Sequence, residues 1–134
     1  TFYQDITMAN FLLIGFSAAI GAWLRWLIGA GVIAIFPGMP FGALTVNLLG
    51  GFLMGLSIAF FQVTANISEE LRLIINVGFL GGLTTFSAYT ADLFQLMQKG
   101  ELGLALLFMV AHVVGALALC YLGYYCASLS LRSF

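Results

Sequence analysis

Four long apolar stretches, joined by short polar segments, set the main limit on what this chain can fold into. They run from about residue 9 to 36, 41 to 62, 71 to 97 and 102 to 129. A helix needs about 20 mainly apolar residues to cross the hydrocarbon core of a bilayer, because each residue rises about 1.5 Å. The sequence therefore predicts an all-α membrane protein, with four transmembrane helices in a single domain over residues 1–134.

The composition excludes a soluble protein. Of the 134 residues, 63% are hydrophobic and only 7% are charged, whereas a soluble surface needs roughly 25–35% charged residues. The net charge of -1 disfavours nucleic-acid binding, which depends on clustered basic residues. The two cysteines, Cys120 and Cys126, make neither a disulfide framework nor a zinc site. We therefore expect the lipid bilayer to be the partner of most of the surface.

Short polar segments separate the apolar stretches. Proline and glycine between residues 37 and 40 end the first stretch, because proline cannot continue a helix. In the bridge of residues 64–70, Ser68 is a candidate N-cap, and two glutamates follow it in the first turn of the next helix, where the helix dipole favours acids. Residues 98–101 form the last loop.

The basic residues do not specify one orientation in the membrane. Four spans put the bridge of residues 64–70 and both termini on one side, together with Arg72 and Arg132. The other side holds Lys99 and, if it snorkels toward the first loop, Arg25. The positive-inside rule needs an excess of basic residues on one side. Two interpretations stay open, namely one weakly specified orientation, or insertion in both orientations to give an antiparallel homodimer.

Two polar side chains lie inside the first and second stretches. Arg25 is flanked by Trp23 and Trp26, which are typical of the membrane interface; the arginine either snorkels there or draws anions to the mouth of a pore. Asn47 lies deep in the second stretch, where a carboxamide without partners is costly. It either links helices or donates N–H groups to an anion.

The third stretch carries a break signal. Gly81 and Gly82 are followed by Thr84 and Thr85, a poor composition for the middle of a helix. A break at mid-membrane would free carbonyl groups, which are tolerated only inside protein or along a cavity and are typical cation ligands. The sequence therefore predicts that the third helix is broken at mid-membrane.

Several side chains beyond this break are candidates for ion contact. Phe86 and Tyr89 are three residues apart and so share one helix face; they are either packing residues or ring edges of weakly positive charge that face an anion. Asp92, one turn further, either has a function or caps a wet vestibule. His112, in the fourth stretch, is expected to be a hydrogen-bonded packing residue when considered alone.

Three motifs, in their order and spacing, resemble the Fluc (CrcB-type) family of fluoride channels. They are GAWLRW at residues 21–26, TVNLLGG at residues 45–51 and GFLGGLTTFS at residues 78–87, and the resemblance covers nearly the whole chain. It implies an antiparallel, dual-topology homodimer of four-helix subunits, with two fluoride pores and a structural Na⁺ at the dimer centre. It also implies passive fluoride export across the cell membrane, which gives fluoride resistance.

The resemblance also implies roles for individual residues. The Na⁺ ligands would be the backbone carbonyls of Gly81 and Thr84 from both subunits, and Arg25 would be the vestibule arginine. Phe86 would be the first ring of the family's phenylalanine box. The side chains implied along the fluoride path are Asn47, Thr85, Phe86, Ser87, Tyr89, Thr90 and His112.

The chain departs from the family pattern at three places. The second position of the phenylalanine box is Tyr89, which keeps a ring edge and adds a hydroxyl donor. The next residue is Thr90, where serine is expected. Phe108, His112 and Ala116 fall where some members carry a track of hydroxyl groups, and Ala116 offers no donor.

Two functions other than a fluoride channel stay open, whereas an enzymatic activity is not expected. The sequence has no ATP-binding loop, redox site or catalytic triad, so it does not predict an enzyme. A small dual-topology, proton-coupled exporter of cationic compounds is the first alternative. Such an exporter needs a carboxylate in the first span as its proton and substrate site. The first span of this chain has Arg25 and no acid, so Asp92 is the candidate for that site. The second alternative is a membrane scaffold that transports nothing.

Overall fold

The computed structural model describes residues 6–133, which are helical almost throughout and contain no β-strand. Three helices are continuous, namely α1 (Met8–Ile35), α2 (Phe41–Val63) and α6 (Leu102–Arg132). Between α2 and α6 lies the third span, Glu69–Gln98. It consists of α3 (Glu69–Arg72), a π-helical segment (Leu73–Phe79), α4 (Leu80–Leu83) and α5 (Phe86–Gln98).

The predicted all-helical, four-span architecture is confirmed. Within residues 6–133, four helices are long and apolar enough to cross a membrane. Their bounds differ from those expected from the sequence by at most three residues, the largest difference being at the end of α6. The expected single domain also includes residues 1–5 and 134, which lie outside the described residues.

The connections follow the local sequence signals. The Oγ of Ser68 accepts a hydrogen bond from the Leu71 N–H at 3.3 Å, which confirms Ser68 as an N-cap. The two tight turns use glycines with positive φ, Gly38 at 81° and Gly100 at 76°. Glycine adopts this left-handed conformation at little cost because it has no Cβ. These turns allow consecutive spans to run back alongside each other.

Helix α2 packs along α6 through glycines. A Cβ on Gly51 would lie 2.5 Å from the Ala116 carbonyl oxygen, and one on Gly55 or Gly123 would clash with a backbone carbonyl of the facing helix. Small residues let helix backbones approach closely, which is a main source of helix association in lipid. The pair α2 and α6 therefore forms a tightly packed wall.

Helix α1 holds the first half of the third span in the same way. A Cβ on Gly21 would clash with the Phe79 carbonyl, and a Cβ on Gly82 would clash with the Ala18 carbonyl. The turn just before residue 84 is thus fixed against α1. Large apolar side chains such as Phe16 and Trp26 are exposed on α1, which suits a hydrocarbon environment.

Candidate functional site

The third span is interrupted at two residues, Thr84 and Thr85. Their backbones are extended, with φ/ψ of -88°/158° and -149°/119°, and α5 begins at Phe86. The sequence led us to expect unwinding between Gly81 and Thr84. Gly81 and Gly82 instead lie in the last turn of α4. The physical reason is packing, since Gly82 gives α1 a close contact there.

At this interruption the side chain of Asn47, on α2, makes hydrogen bonds to the backbone of the third span. Its Oδ1 accepts a hydrogen bond from the Thr85 N–H at 2.8 Å, and its Nδ2 donates to the Thr85 carbonyl at 2.9 Å. In a continuous helix the Thr85 N–H would bond the Gly81 carbonyl, four residues earlier. Asn47 therefore supplies hydrogen-bond partners to both the Thr85 N–H and the Thr85 carbonyl.

Two backbone carbonyls at the interruption lack their usual helical donors. The Gly81 carbonyl lacks the Thr85 N–H, which goes to Asn47. The Thr84 carbonyl lacks the Ala88 N–H, which donates to the Thr85 Oγ1 at 3.1 Å as part of the N-cap of α5. Carbonyl groups freed in this way are typical ligands of Na⁺ in membrane proteins.

His112, on α6, is the third partner of Asn47. The Asn47 Nδ2 lies 3.1 Å from the His112 Nδ1. Because Nδ2 can only donate, Nδ1 accepts and the neutral ring carries its proton on Nε2. The ring is 5% exposed, and its buried Nε2 has no hydrogen-bond partner among residues 6–133. A buried N–H without an acceptor costs about 1–3 kcal/mol.

Phe86 and Tyr89 lie on one face of α5, as expected. Their ring centroids are 5.4 Å apart with an interplanar angle of 57°. Tyr89 is 7% exposed and its ring lies 4.3 Å from the ring of His112, whereas Phe86 is 78% exposed. Tyr89 is thus buried among the helices, whereas the ring of Phe86 lies on the surface of the single chain.

These groups line one open groove of about 400 Å³ between α2, the third span and α6. The groove brings together most of the residues singled out from the sequence, namely Asn47, Gly81, Thr84, Thr85, Phe86, Tyr89, His112 and Ala116. Ser87 and Thr90 are not part of its lining. The Thr90 hydroxyl donates to the Phe86 carbonyl, and Ser87 lies 3.2 Å from the Thr85 hydroxyl. Phe108 is buried in a cluster with Tyr89 and Leu93.

Arg25 lines a second cavity on the other side of Thr85. This cavity, of about 340 Å³, is bordered by Arg25, Asp92 and Thr85. A third cavity, of about 510 Å³, is lined by Asp92 and reaches Lys99 and Glu101 at the loop of residues 98–101. Because Thr85 and Asp92 each line two cavities, polar residues extend from the loop to the groove.

Sequence reasoning missed one polar residue of the groove, Asn76. It lies in the π-helical segment and lines the groove together with Asn47. The sequence did contain a signal for Asn76, since a carboxamide inside an apolar stretch needs a hydrogen-bond partner or a function. Among residues 6–133, no group of three or more His, Cys, Asp or Glu side chains could hold a metal ion.

Comparisons with known proteins identify close relatives. The family described as "CrcB-like protein, Camphor Resistance (CrcB)" matches residues 12–124. A protein of Aromatoleum aromaticum named "Fluoride-specific ion channel FluC" is 47% identical over 114 residues, which is 85% of this chain and 87% of the relative. Proteins of the same name from Pseudomonas syringae pv. maculicola and Tolumonas auensis are 46% and 44% identical. They cover 84% and 91% of this chain, and 88% and 96% of their own lengths.

The hydrogen bonds of Asn47 predict a large effect on stability. Asn47→Ala leaves the backbone N–H and carbonyl of Thr85 and the Nδ1 of His112 without partners. We expect a loss of about 1–3 kcal/mol, measured as a lower midpoint of thermal unfolding in detergent. Asn66→Ala is the control, because Asn66 is exposed in the bridge. An Asn47→Ala midpoint equal to that of the wild type would contradict the assignment.

Proposed function

This chain belongs to the CrcB-like family, and on that premise we propose that it is a passive, fluoride-selective channel that exports fluoride across the cell membrane. The observation that carries the proposal is the groove in which Asn47 holds Thr85 and His112 beside the exposed ring of Phe86. The relatives of this chain are named as ion channels, and the protein is not an enzyme.

The chemistry of the groove suits a small, strongly hydrated anion. A selective pore must replace water around fluoride with hydrogen-bond donors, and must bind weakly enough for the ion to leave. The unpartnered Nε2–H of His112, the Thr85 hydroxyl and the edges of the Phe86 and Tyr89 rings supply such contacts. None of these groups carries a full charge when His112 is neutral, so the ion is solvated without being trapped.

Asn47 acts on this path mainly by positioning its neighbours. Both hydrogens of its Nδ2 are donated within the protein, one to the Thr85 carbonyl and one to the His112 Nδ1. It thereby fixes the tautomer of His112 and the direction of the Thr85 backbone. Ser87 and Thr90 belong to the proposed fluoride path only through the resemblance to the family, since neither lines the groove and the Thr90 hydroxyl donates to the Phe86 carbonyl.

Arg25 supplies the entrance of the path. Its cavity shares Thr85 with the lining of the groove, and shares Asp92 with the lining of the cavity near the loop of residues 98–101. A cation in a narrow, low-dielectric cavity raises the local concentration of anions. Arg25 is thus the proposed vestibule residue.

We propose that the working unit is an antiparallel homodimer with dual topology. In a single chain the groove is open on one side and the Phe86 ring is 78% exposed. A second copy would close the groove, and the two-fold symmetry of such a pair would give two equivalent pores. The two-against-two distribution of Arg and Lys supports insertion in both orientations.

A structural Na⁺ at the centre of this dimer fits the interruption of the third span, which we place at mid-membrane. The Gly81 and Thr84 carbonyls, which lack their helical donors, are oxygen ligands of the kind Na⁺ takes in unwound membrane helices. Two such carbonyls from each copy would make a site of four. The ion would tie the copies together at the point where both helices are interrupted.

Fluoride efflux from liposomes that contain the purified protein tests the proposed function. We expect fluoride to leave rapidly and chloride to be nearly excluded, as measured with ion-selective electrodes. Phe86→Ile should slow fluoride efflux at least about tenfold, because it removes a ring edge from the path. Phe94→Ile is the matched control, since Phe94 is an exposed phenylalanine on the same helix outside the groove.

Three outcomes of the liposome experiment would contradict the proposal. Equal fluxes of fluoride and chloride would remove selectivity. Absence of any ion flux would favour a scaffold. Proton-coupled uptake of organic cations that Asp92→Asn abolishes would favour the exporter.

Dual topology predicts that every loop reaches both faces of the membrane. Single cysteines at residues 66 and 98, in a background without Cys120 and Cys126, should each be labelled by an impermeant maleimide from one side of intact cells. About half of each variant should react, and the other half only after permeabilisation. Complete labelling of one variant with complete protection of the other would show a single orientation.

The Na⁺ site predicts a cation requirement. Replacing Na⁺ by N-methylglucamine throughout purification and reconstitution should lower fluoride efflux and shift the protein in detergent from dimer to monomer, as followed by light scattering. Adding Na⁺ back should restore both properties, whereas K⁺ at the same ionic strength should not. An unchanged mass and flux without Na⁺ would contradict carbonyl ligation at Gly81 and Thr84.

A further inference from the structure

A second carboxamide, that of Asn76, lies in the third span nine residues before Thr85. It belongs to the π-helical segment, where the Leu80 N–H bonds the Ile75 carbonyl, five residues earlier. π-Helical turns are rare and occur frequently at functional sites. The rest of this segment is apolar or glycine, so the amide of Asn76 needs polar partners inside the membrane.

One half of this amide is held by α2. The Oγ of Ser57, a residue that is 8% exposed, donates to the Asn76 Oδ1 at 2.5 Å. With Oδ1 fixed, the Nδ2 group points away from Ser57 and carries two N–H donors. No residue in the described range 6–133 accepts a hydrogen bond from it. Asn76 is therefore an oriented amide with free donors.

Asn76 lies on the groove that also contains Asn47, Phe86 and His112. Met54 lines the groove too and is seven residues beyond Asn47 on α2, a distance of about 10 Å at 1.5 Å per residue. The groove therefore extends well beyond the Asn47–His112 site, and Asn76 brings polar N–H donors to a lining that otherwise includes Gly51 and Met54.

We propose that the Nδ2 group of Asn76 is a second fluoride-binding position on the path, separate from the site at His112 and Phe86. This inference rests on the proposed function of the groove. An ion that has lost its water needs successive weak binding positions, because one strong site would hold it. A neutral amide, oriented by Ser57, supplies donors without a charge that would retain the anion.

A purely structural role for Asn76 makes different demands. Linking α2 to the third span needs only the bond from Ser57 to Oδ1, whereas fluoride binding needs the Nδ2 hydrogens, which Ser57 orients but does not supply. Ser57→Ala removes the link and keeps the donors. Asn76→Asp keeps the acceptor for Ser57 and replaces the donors by a second oxygen. The two variants therefore separate the two roles.

The experiment measures initial rates of fluoride efflux over a range of fluoride concentrations, with the full chain in liposomes. We expect Asn76→Asp and Asn76→Leu to lower the rate about tenfold or more, and Asn76→Leu to raise the half-saturating fluoride concentration. Asn76→Thr, which keeps one donor, should recover most of the rate. Ser57→Ala should lower the rate less than Asn76→Leu does, because it keeps the donors and removes only the bond that orients them. Val77→Ala, at the next residue and outside the groove lining, should match the wild type.

Three results would overturn the inference. Wild-type kinetics in Asn76→Asp and Asn76→Leu would show that the donors are not used. A loss in Ser57→Ala as large as that in Asn76→Leu, with a lower thermal midpoint in both, would assign Asn76 to helix linkage. A wild-type protein without fluoride efflux would reject the proposed function, and this inference with it, whereas failure of the inference alone leaves wild-type efflux intact.

Discussion

The paired hydrogen bonds between the Asn47 carboxamide and the Thr85 backbone are the interaction on which the rest of the site depends. In a membrane every backbone N–H and carbonyl group must find a partner inside the protein. Asn47 provides both for Thr85, so the third span can be interrupted without leaving that residue unsatisfied. The remaining hydrogen of the same amide orients His112.

The surrounding helices make this interruption rigid. Gly82 fixes the end of α4 against α1, and the absence of a side chain at Gly50 leaves room for the Thr84 methyl group beside α2. On the other side, the Thr85 hydroxyl caps α5 and sets its direction. In the proposed channel, the donors of the groove would therefore already be in position before fluoride enters it.

Much of the fold could be predicted from the sequence, because it follows from local patterns. Apolar length defines the four spans, Ser68 caps a helix, and a spacing of three puts Phe86 and Tyr89 on one face. The place of the interruption was predicted a few residues too early. Glycine pairs favour unwinding and close packing alike, and at Gly81 and Gly82 the contact with α1 decided the outcome.

The candidate site was predicted less completely, because its contacts join residues far apart in the chain. Asn47 contacts partners 38 and 65 residues away. No local sequence pattern shows that both hydrogens of its Nδ2 group are donated to these partners. The link between Ser57 and Asn76 was missed for the same reason. The roles of the groove residues toward fluoride, of Gly81 and Thr84 toward Na⁺, and of the second copy stay predictions.

The most direct measurement is a high-resolution map of the protein in lipid nanodiscs prepared with fluoride and Na⁺. The account predicts Thr85 bonded to Asn47, an interrupted third span, and density for water or an ion between Phe86 and His112 in a tunnel closed by a second copy. A continuous helix through Thr84 and Thr85, with acyl chains packed against Phe86 and Asn47, would contradict it.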